Sequence, residues 1–253
     1  MHRWRRKKMS PLAANPCLCD EACASFFSAV GAQPAESGQT LPVELLKISP
    51  ESPEEHVVEY AAGFVKRGEV VGIPTDTFYG LSADPFNLAA IEGVFRAKGR
   101  PETKALPILV NSIEQAITLA REVPDSFLEL ANAYWPGPLT LVVEATHRLP
   151  LKVTGNTGRV ALRWANSKVV TKLIDAVGAP ITGTSANLSG YPSCSNAGQI
   201  VEQLGNRLPL ILDAGDTGGI LASTIVRLDG NQWHVVREGA IPDEQIYKTL
   251  HRT

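Results

Sequence analysis

Two groups of polar side chains between residues 70 and 110 have the types and spacing needed to bind a small polar substrate and an anion. The first group is Thr75-Asp76-Thr77, which follows a short apolar run of strand length. The second group consists of four cations, Arg96, Lys98, Arg100 and Lys104. Because Pro101 disfavours helical geometry at the residue before it, we expect a helix to end among these cations. Arginine offers phosphate a bidentate fork and lysine offers a point charge, so the segment predicts a polyanion site.

A third polar segment, GTSANLSG at residues 183–190, follows a predicted short strand. Its hydroxyl and amide side chains can donate to carboxylate or phosphate oxygens, and the backbone amides of such a loop can form an anion-binding nest. Each segment also has a purely structural explanation when it is considered alone. Hydroxyls cap turns, cations are favoured at the negative end of a helix dipole, and WPGPLT at residues 135–140 is typical of a rigid turn. The residue types alone therefore leave both explanations open.

Composition and missing motifs narrow the class of protein. The chain has 253 residues, a net charge of −2 and 44% hydrophobic residues, which suits a folded domain and argues against a protein that mainly coats nucleic acid. The sequence contains no G-x4-G-K-[ST] phosphate loop, no G-x-G-x-x-G fingerprint, no H-E-x-x-H metal motif and no G-x-S-x-G nucleophile elbow. If the chain uses a nucleoside triphosphate, other side chains must bind it.

Hydrophobic periodicity and breakers predict alternating strands and helices from about Leu41 onwards. The predicted strands are 43–48, 70–74, 106–110, 139–144, 160–164, 180–182, 210–213, 223–228 and 232–237. The first predicted helix has Ser52 as its N-cap and stops at Gly68. Further helices are predicted at 88–98, 112–121, 125–134, 167–177, 195–204 and 242–250. The Asp229-Gly230-Asn231 turn predicts a hairpin, so we expect a mixed-sheet α/β domain.

The order of the motifs carries a resemblance to a known family. PTDTFYGL (74–81), KGRPETKALP (98–107), WPGPLT, TSANLSG, STIVRL (223–228) and REG (237–239) together resemble the YrdC/TsaC family of threonylcarbamoyl-AMP synthases, from about Leu41 to Leu250. The resemblance implies a YrdC-like α/β fold, a twisted mixed sheet with flanking helices and a concave, positively charged cleft. It also implies a nucleotidyltransferase that makes threonylcarbamoyl-AMP from L-threonine, bicarbonate and ATP and releases pyrophosphate. The product would serve threonylcarbamoyladenosine modification of tRNA next to the anticodon.

The motif positions imply two sets of ligands in this chain. For L-threonine the resemblance implies Thr77, Arg163, Thr182 and Ser223. For ATP it implies Lys98, Arg100, Lys104, Arg159, Thr184, Ser185, Asn187, Ser193 and Arg237. It assigns no covalent nucleophile and no acid or base, and Mg²⁺ is expected to be held mainly through the ATP phosphates. Two positions depart from the family pattern: Ala105, and the Trp164-Ala165-Asn166 run, which bears on the geometry around Arg163.

The resemblance also implies partners beyond the substrates L-threonine, bicarbonate and ATP. They are a downstream tRNA threonylcarbamoyl transferase complex and tRNA or double-stranded RNA. An alternative interpretation, based on the basic cluster at residues 96–104, is a non-catalytic protein for RNA binding or ribosome maturation. The related carbamoyl-adenylate chemistry of hydrogenase maturation is less favoured, because acylphosphatase-like and zinc-finger segments are not in the sequence. We expect the short, single-domain form of the family.

Residues 1–40 have no sustained hydrophobic period and many breakers, so we expect a flexible or disordered extension before a catalytic domain at 41–253. Asp20 and Glu21 interrupt the segment after the basic start, which disfavours a secretory or organellar targeting peptide. Cys17, Cys19 and Cys23 lack a second half with zinc-like spacing. No apolar run reaches 18 residues, so we expect no membrane span. Nothing in the cysteine pattern suggests a disulfide framework, so we expect a reducing compartment, the cytoplasm.

Overall fold

The structure, a computed structural model, describes residues 42–230 and 232–251. The predictions for residues 1–40, including the extension and the cluster of Cys17, Cys19 and Cys23, lie outside the described residues. The proposed domain boundary near residue 41 therefore stays a prediction. Within the described ranges, no helix is long and apolar enough to cross a membrane.

Strands and helices alternate along the described chain. The strands are β1 Glu44–Lys47, β2 Val71–Ile73, β3 Gly80–Ser82, β4 Ile108–Leu109, β5 Leu139–Glu144, β6 Arg159–Arg163, β7 Ile181–Thr182, β8 Thr184–Ser185, β9 Leu210–Asp213, β10 Thr224–Asp229 and β11 Gln232–Arg237. The helices are α1 Glu55–Lys66, α2 Leu88–Lys98, α3 Ile113–Ile117, α4 Asp125–Tyr134, α5 Lys168–Val177, α6 Ala197–Leu204 and α7 Asp243–Leu250. This order confirms the predicted α/β class.

The strands are divided between two mixed sheets, whereas the sequence suggested one. The first sheet has five strands in the order β1-β9-β2-β3-β8, and the second has six in the order β11-β10-β5-β6-β4-β7. Both contain parallel and antiparallel pairs, and β10 and β11 form the predicted antiparallel hairpin. The backbone amide of Thr182 in β7 donates to the Ala83 carbonyl just after β3, at 2.9 Å, which joins the two sheets.

Local capping explains several helix boundaries and corrects one. The side chain of Asn87 accepts from the amides of Ala89 and Ala90 and caps α2, as the sequence predicted. The predicted N-cap at Ser52 is wrong, because α1 begins at Glu55 with Glu54 in the N-cap position and no side-chain cap bond. The Glu54 carboxylate instead accepts from the Ser49 amide at 3.0 Å, so it closes the preceding turn.

Two hydrophobic clusters hold the sheets and helices together. One contains the buried faces of α1 and α5 packed on β2 and β9. The other contains buried residues of α2, α4 and α6 with the strands of the six-stranded sheet and part of the five-stranded sheet. This packing fixes three points that the site uses: the turn after β2, the end of β6 at Arg163 and the β7–β8 segment.

Candidate functional site

The turn between β2 and β3 has its hydroxyl groups fixed by its own backbone. The Oγ1 atom of Thr75 donates to the Phe78 carbonyl at 2.6 Å and accepts from the Thr77 amide at 3.1 Å. It also lies 3.2 Å from Oγ1 of Thr77. These bonds form a local turn of the kind that Thr side chains favour, and they fix the orientation of Thr77.

Arg163, the last residue of β6, contacts this turn with a nearly buried guanidinium group. Its NH2 nitrogen lies 2.6 Å from the Asp76 carboxylate, and its NH1 nitrogen donates to Oγ1 of Thr77 at 3.1 Å. Its Nε donates to the Gly137 carbonyl at 3.1 Å. Gly137 is itself held by the bond from its amide to the Trp164 carbonyl at 2.8 Å. The predicted rigid turn at WPGPLT therefore supplies a backbone acceptor that orients Arg163.

Lys98 ends α2 and turns into the protein, where only 2% of its surface is exposed. Its Nζ donates to the carbonyl of Ser185, to the carbonyl of Asn187 at 2.8 Å and to Oδ1 of Asn187 at 3.2 Å. Burial, together with the positive charge of Arg100, lowers the pKa of Lys98 to about 7. Three acceptors around one ammonium group use all of its N–H bonds, so Lys98 holds the 185–187 loop in place.

Arg100 lies beside the same loop and keeps part of its donor capacity free. Its NH1 donates to Oγ1 of Thr184 at 3.2 Å, and its NH2 donates to the Ala105 carbonyl at 2.8 Å. Among the described residues its buried Nε has no hydrogen-bond partner. Burial lowers the pKa of Arg100, although arginine keeps its charge under ordinary conditions. Ala105, where the sequence departs from the family pattern, thus contributes its backbone oxygen.

Backbone pairing connects the turn at Thr77 with the loop at Lys98 and Arg100. Gly80 pairs with Ser185 across β3 and β8, and the Ala186 amide donates to the Tyr79 carbonyl at 2.8 Å. The turn that contains Thr77 leads into β3, and β3 pairs with β8, the strand that Arg100 and Lys98 contact. This is the arrangement expected for two parts of one binding site.

Ser223 and Arg237 lie near Arg163 on the six-stranded sheet. Arg237 donates to the Ser223 carbonyl through Nε at 3.2 Å and NH2 at 2.7 Å, and its NH2 lies 3.2 Å from Oγ of Ser223. Oγ of Ser223 is also 2.9 Å from Oγ1 of Thr140. Burial and the positive charge of Arg163 lower the pKa of Arg237, so these two guanidinium groups share one neighbourhood.

Four of the predicted ligands make no side-chain hydrogen bond to the site residues described above, among the described part of the chain. The hydroxyl of Thr182 is fully buried and bridges the Leu81 carbonyl and the Ala83 amide at 3.0 and 2.9 Å. Arg159 pairs with Asp229 at the opposite end of β6 from Arg163, roughly 13 Å along the strand. Lys104 is exposed, and Ser193 is partly buried just before Cys194. The binding roles of all four stay predictions.

The structure adds a segment that the sequence did not place at the site. Residues 214–219 cross the turn after β2: the hydroxyl of Tyr79 donates to the Gly215 carbonyl at 2.8 Å, and Thr217 donates to the Thr77 carbonyl at 2.9 Å. A Cβ atom on Gly219 would lie 1.5 Å from that same carbonyl oxygen. Only glycine permits so close an approach, and the Gly218-Gly219 pair was the available sequence signal.

The described residues offer no protein-built metal centre. They contain no group of three or more His, Cys, Asp or Glu side chains that could hold a metal ion. The carboxylate of Asp76, beside Thr77 in the turn, is already paired with Arg163. The site residues are cations, hydroxyls and an amide, which suit anionic groups of a substrate.

Comparisons with known proteins show which proteins this chain resembles. The family model Sua5_yciO_yrdC, described as "Telomere recombination", matches residues 63–239. The chain is 38% identical over 199 residues to the threonylcarbamoyl-AMP synthase of Pyrococcus abyssi, covering 78% of this chain and 58% of that protein. It is 38% identical over 190 residues to the putative threonylcarbamoyl-AMP synthase of Mycobacterium tuberculosis, covering 75% of this chain and 87% of that protein.

A solved structure extends the similarity to three dimensions. The crystal structure of P. abyssi Sua5 complexed with L-threonine superposes with a TM-score of 0.79 at 36% identity, covering 83% of this chain and 61% of that one. The chain thus spans somewhat less than two thirds of the Pyrococcus protein and most of the mycobacterial one. On the family model and these relatives together, the chain belongs to the Sua5/YciO/YrdC family.

Proposed function

We propose that this chain is an L-threonylcarbamoyladenylate synthase, which joins L-threonine, bicarbonate and ATP into threonylcarbamoyl-AMP and releases pyrophosphate. It would act as a nucleotidyltransferase, because the carbamate formed from threonine and bicarbonate displaces pyrophosphate from the α-phosphate of ATP. The product would pass to a tRNA threonylcarbamoyl transferase complex in the cytoplasm.

One observation carries the proposal. Arg163 and Thr77 form a preorganised donor pair at the turn before β3. Arg100 and Lys98 contact β8 and the loop after it, and β8 pairs with β3. The first pair suits the carboxylate of an amino acid, and the second suits a polyphosphate. The relatives named as threonylcarbamoyl-AMP synthases and the Sua5 structure with L-threonine support these two kinds of substrate.

The chemistry fits a site that acts by positioning and electrostatics. Attack of the threonine amine on bicarbonate, and then of the carbamate oxygen on the α-phosphate, both collect negative charge around the reacting atoms. Guanidinium groups fixed before the substrates bind stabilise that charge without reorganisation. Arg100, with a buried Nε that has no partner among the described residues, and Arg237 are the candidates for this role at the phosphates.

Mg²⁺ enters this scheme as part of the substrate Mg·ATP. The residues present fit that arrangement better than a resident metal site, because the described part of the chain provides cations and hydroxyls around the proposed phosphate position and no carboxylate cluster. Mg²⁺ keeps several waters and is commonly bound through substrate phosphates. When bound, it would neutralise charge on the β- and γ-phosphates.

The RNA-binding alternative receives less support from the basic cluster once burial is known. Phosphate-driven RNA binding requires cations that are accessible on the surface. Of the four cations in the cluster, Lys98 is buried and Arg100 is half-buried, while Arg96 and Lys104 are exposed. The cluster therefore presents only part of its charge to a large ligand.

Pyrophosphate release provides the direct test. The purified chain, with Mg·ATP and bicarbonate, should release pyrophosphate only when L-threonine is added, and mass spectrometry should identify threonylcarbamoyl-AMP as the product. Release that is equal with and without L-threonine would contradict the proposal. Salt-sensitive binding of tRNA without ATP or threonine, in a protein that releases no pyrophosphate, would instead support the RNA-binding interpretation.

A further inference from the structure

Asp76 lies between the two hydroxyl residues of the turn after β2 and has so far been given no function. Its carboxylate contacts NH2 of Arg163 at 2.6 Å. The two side chains are only 13% and 9% exposed. In the described residues, the pair with Arg163 is the one hydrogen bond of the Asp76 side chain.

Each of the three guanidinium nitrogens of Arg163 makes a hydrogen bond within the protein, and the N–H bonds that remain are available to a ligand. Nε is bound to the Gly137 carbonyl, NH1 to Thr77 and NH2 to Asp76. A guanidinium group has five N–H bonds, so one N–H remains on each terminal nitrogen. Two parallel N–H donors are what a carboxylate needs for a bidentate contact.

The same contacts set the direction of the Thr77 hydroxyl. Because Arg163 has no acceptor, Oγ1 of Thr77 must accept the bond from NH1. The Thr77 hydrogen then points either to Oγ1 of Thr75, 3.2 Å away, or to a ligand. Thr75 can receive it, because its own hydrogen is donated to the Phe78 carbonyl. Thr77 is thereby prepared to donate to an acceptor atom of the substrate.

We propose that Asp76 is a positioning residue for L-threonine: it orients Arg163, and through Arg163 the hydroxyl of Thr77, so that both present donors to the amino-acid carboxylate. This inference rests on the proposed function and assigns a residue that the sequence motifs left without a role. Asp76 also lines a cavity of about 460 Å³ together with Thr75 and Thr217, so its side chain lies at a cavity wall and not inside packed core.

If Asp76 orients Arg163, its replacement should weaken the binding of L-threonine alone. If Asp76 only stabilises the fold, its replacement should not affect one substrate more than the other. In Asp76→Asn the amide keeps the size but loses the charge that holds NH2 of Arg163. The dissociation constant of L-threonine, measured by calorimetry without ATP, should rise at least tenfold, as should its KM. The KM for ATP should stay within twofold, and Asp76→Glu should restore L-threonine binding to within threefold of wild type.

Controls separate this role from a loss of folding. Asp175→Asn alters an exposed carboxylate on α5 that accepts from Asn111, and it should leave L-threonine binding within twofold of wild type. Melting temperatures of all variants should be recorded. If Asp76→Asn is too unstable to assay, Asp76→Ser, which also lacks the charge, should meet the same tenfold threshold.

A double-mutant cycle tests whether Asp76 acts through Arg163. Arg163→Lys should weaken L-threonine binding at least tenfold because it removes the planar fork. The double variant with Asp76→Asn should then bind no more than threefold more weakly than Arg163→Lys alone. Independent, multiplying effects would overturn the inference, as would unchanged or tighter L-threonine binding by Asp76→Asn. If wild-type protein itself binds no L-threonine, the proposed function fails before Asp76 is tested.

Discussion

Replacing Lys98 by Met should remove a pH-dependent part of the free energy of unfolding. In the folded protein the pKa of Lys98 is lowered to about 7, whereas a lysine in an unfolded chain titrates near ~10.4. Between these values the unfolded chain binds more protons than the folded one. The free energy of unfolding of the wild type should therefore rise with pH across this window, and that of Lys98→Met should lack this rise.

The magnitude follows from the two pKa values. In a measurement from about pH 6 to about pH 9, the interval from about pH 7 to about pH 9 lies between the folded and unfolded pKa values. Each pH unit of that interval changes the free energy of unfolding by about 1.4 kcal/mol. The wild type should thus gain about 2–3 kcal/mol relative to Lys98→Met over this range. Burial raises the pKa of Cys194 to about 11. This shift changes the free energy of unfolding in the opposite direction, because stability falls as the thiol of the unfolded chain ionises. Cys194 is present in both proteins, so its effect largely cancels.

Urea unfolding at both pH values measures the difference. Lys66→Met, at an exposed lysine in the last turn of α1, is the matched control and should follow the wild type at each pH. The reasoning would be refuted if the difference in free energy of unfolding between wild type and Lys98→Met were the same at both pH values, within ~0.5 kcal/mol. It would mean that the three carbonyl and amide oxygens around Nζ keep the ammonium protonated throughout the range.

Three further substitutions address other contacts of the site. Arg100→Ala should lower kcat/KM for ATP at least about tenfold, or ~1.4 kcal/mol, in a pyrophosphate-release assay, because it removes a preorganised cation. Gly219→Ala should raise the KM for L-threonine severalfold in the same assay, because its Cβ would lie 1.5 Å from the Thr77 carbonyl oxygen and must displace the turn. Tyr79→Phe should lower the free energy of unfolding by about 1–3 kcal/mol in urea titrations, because the Gly215 carbonyl and a neighbouring amide lose their buried partner.

Each of these three has a matched control in the same chain. Arg67→Ala removes an exposed arginine paired with Glu69, and it should leave kcat/KM for ATP unchanged. Gly198→Ala places a methyl group in ordinary contact at 3.4 Å, and Tyr191→Phe alters an exposed tyrosine. If a site variant behaves like its control, the contact assigned to that residue does not contribute to the measured property.

Sequence rules located the longer elements because local signals define them. The bounds of α2 and α4 agree with the prediction, since Asn87 caps the first helix and Pro136 closely follows the end of the second. Strands β3 and β8 were missed, because two or three residues are too few to show an alternating pattern. The N-cap was placed at Ser52 because the motif is local, whereas the structure uses the Glu54 carboxylate for another turn.

The sequence predicted a set of site residues but could not predict the contacts among them. Arg163 and Asp76 are 87 positions apart in the sequence, and no local pattern links a carboxylate in one turn to an arginine at the end of another strand. Lys98 was predicted as a cation for ATP, but sequence spacing cannot reveal that its side chain turns inward to the 185–187 loop. The binding of ATP by Lys98 stays a prediction, and its hydrogen bonds favour a role in holding the 185–187 loop over direct contact with ATP.

The cations of this site share a property that bears on how it would work. Arg163 is held by Asp76, Thr77 and Gly137, Lys98 by the loop after β8, and Arg100 by Thr184 and the Ala105 carbonyl. Their donor groups are therefore held in position before any substrate arrives, and the cost of burying them is met during folding. A substrate that brings a carboxylate and a triphosphate meets oriented donors, so little reorganisation is needed at the reacting atoms. For this reason the supporting residues, Asp76 above all, should affect substrate binding as strongly as the residues that touch the substrates.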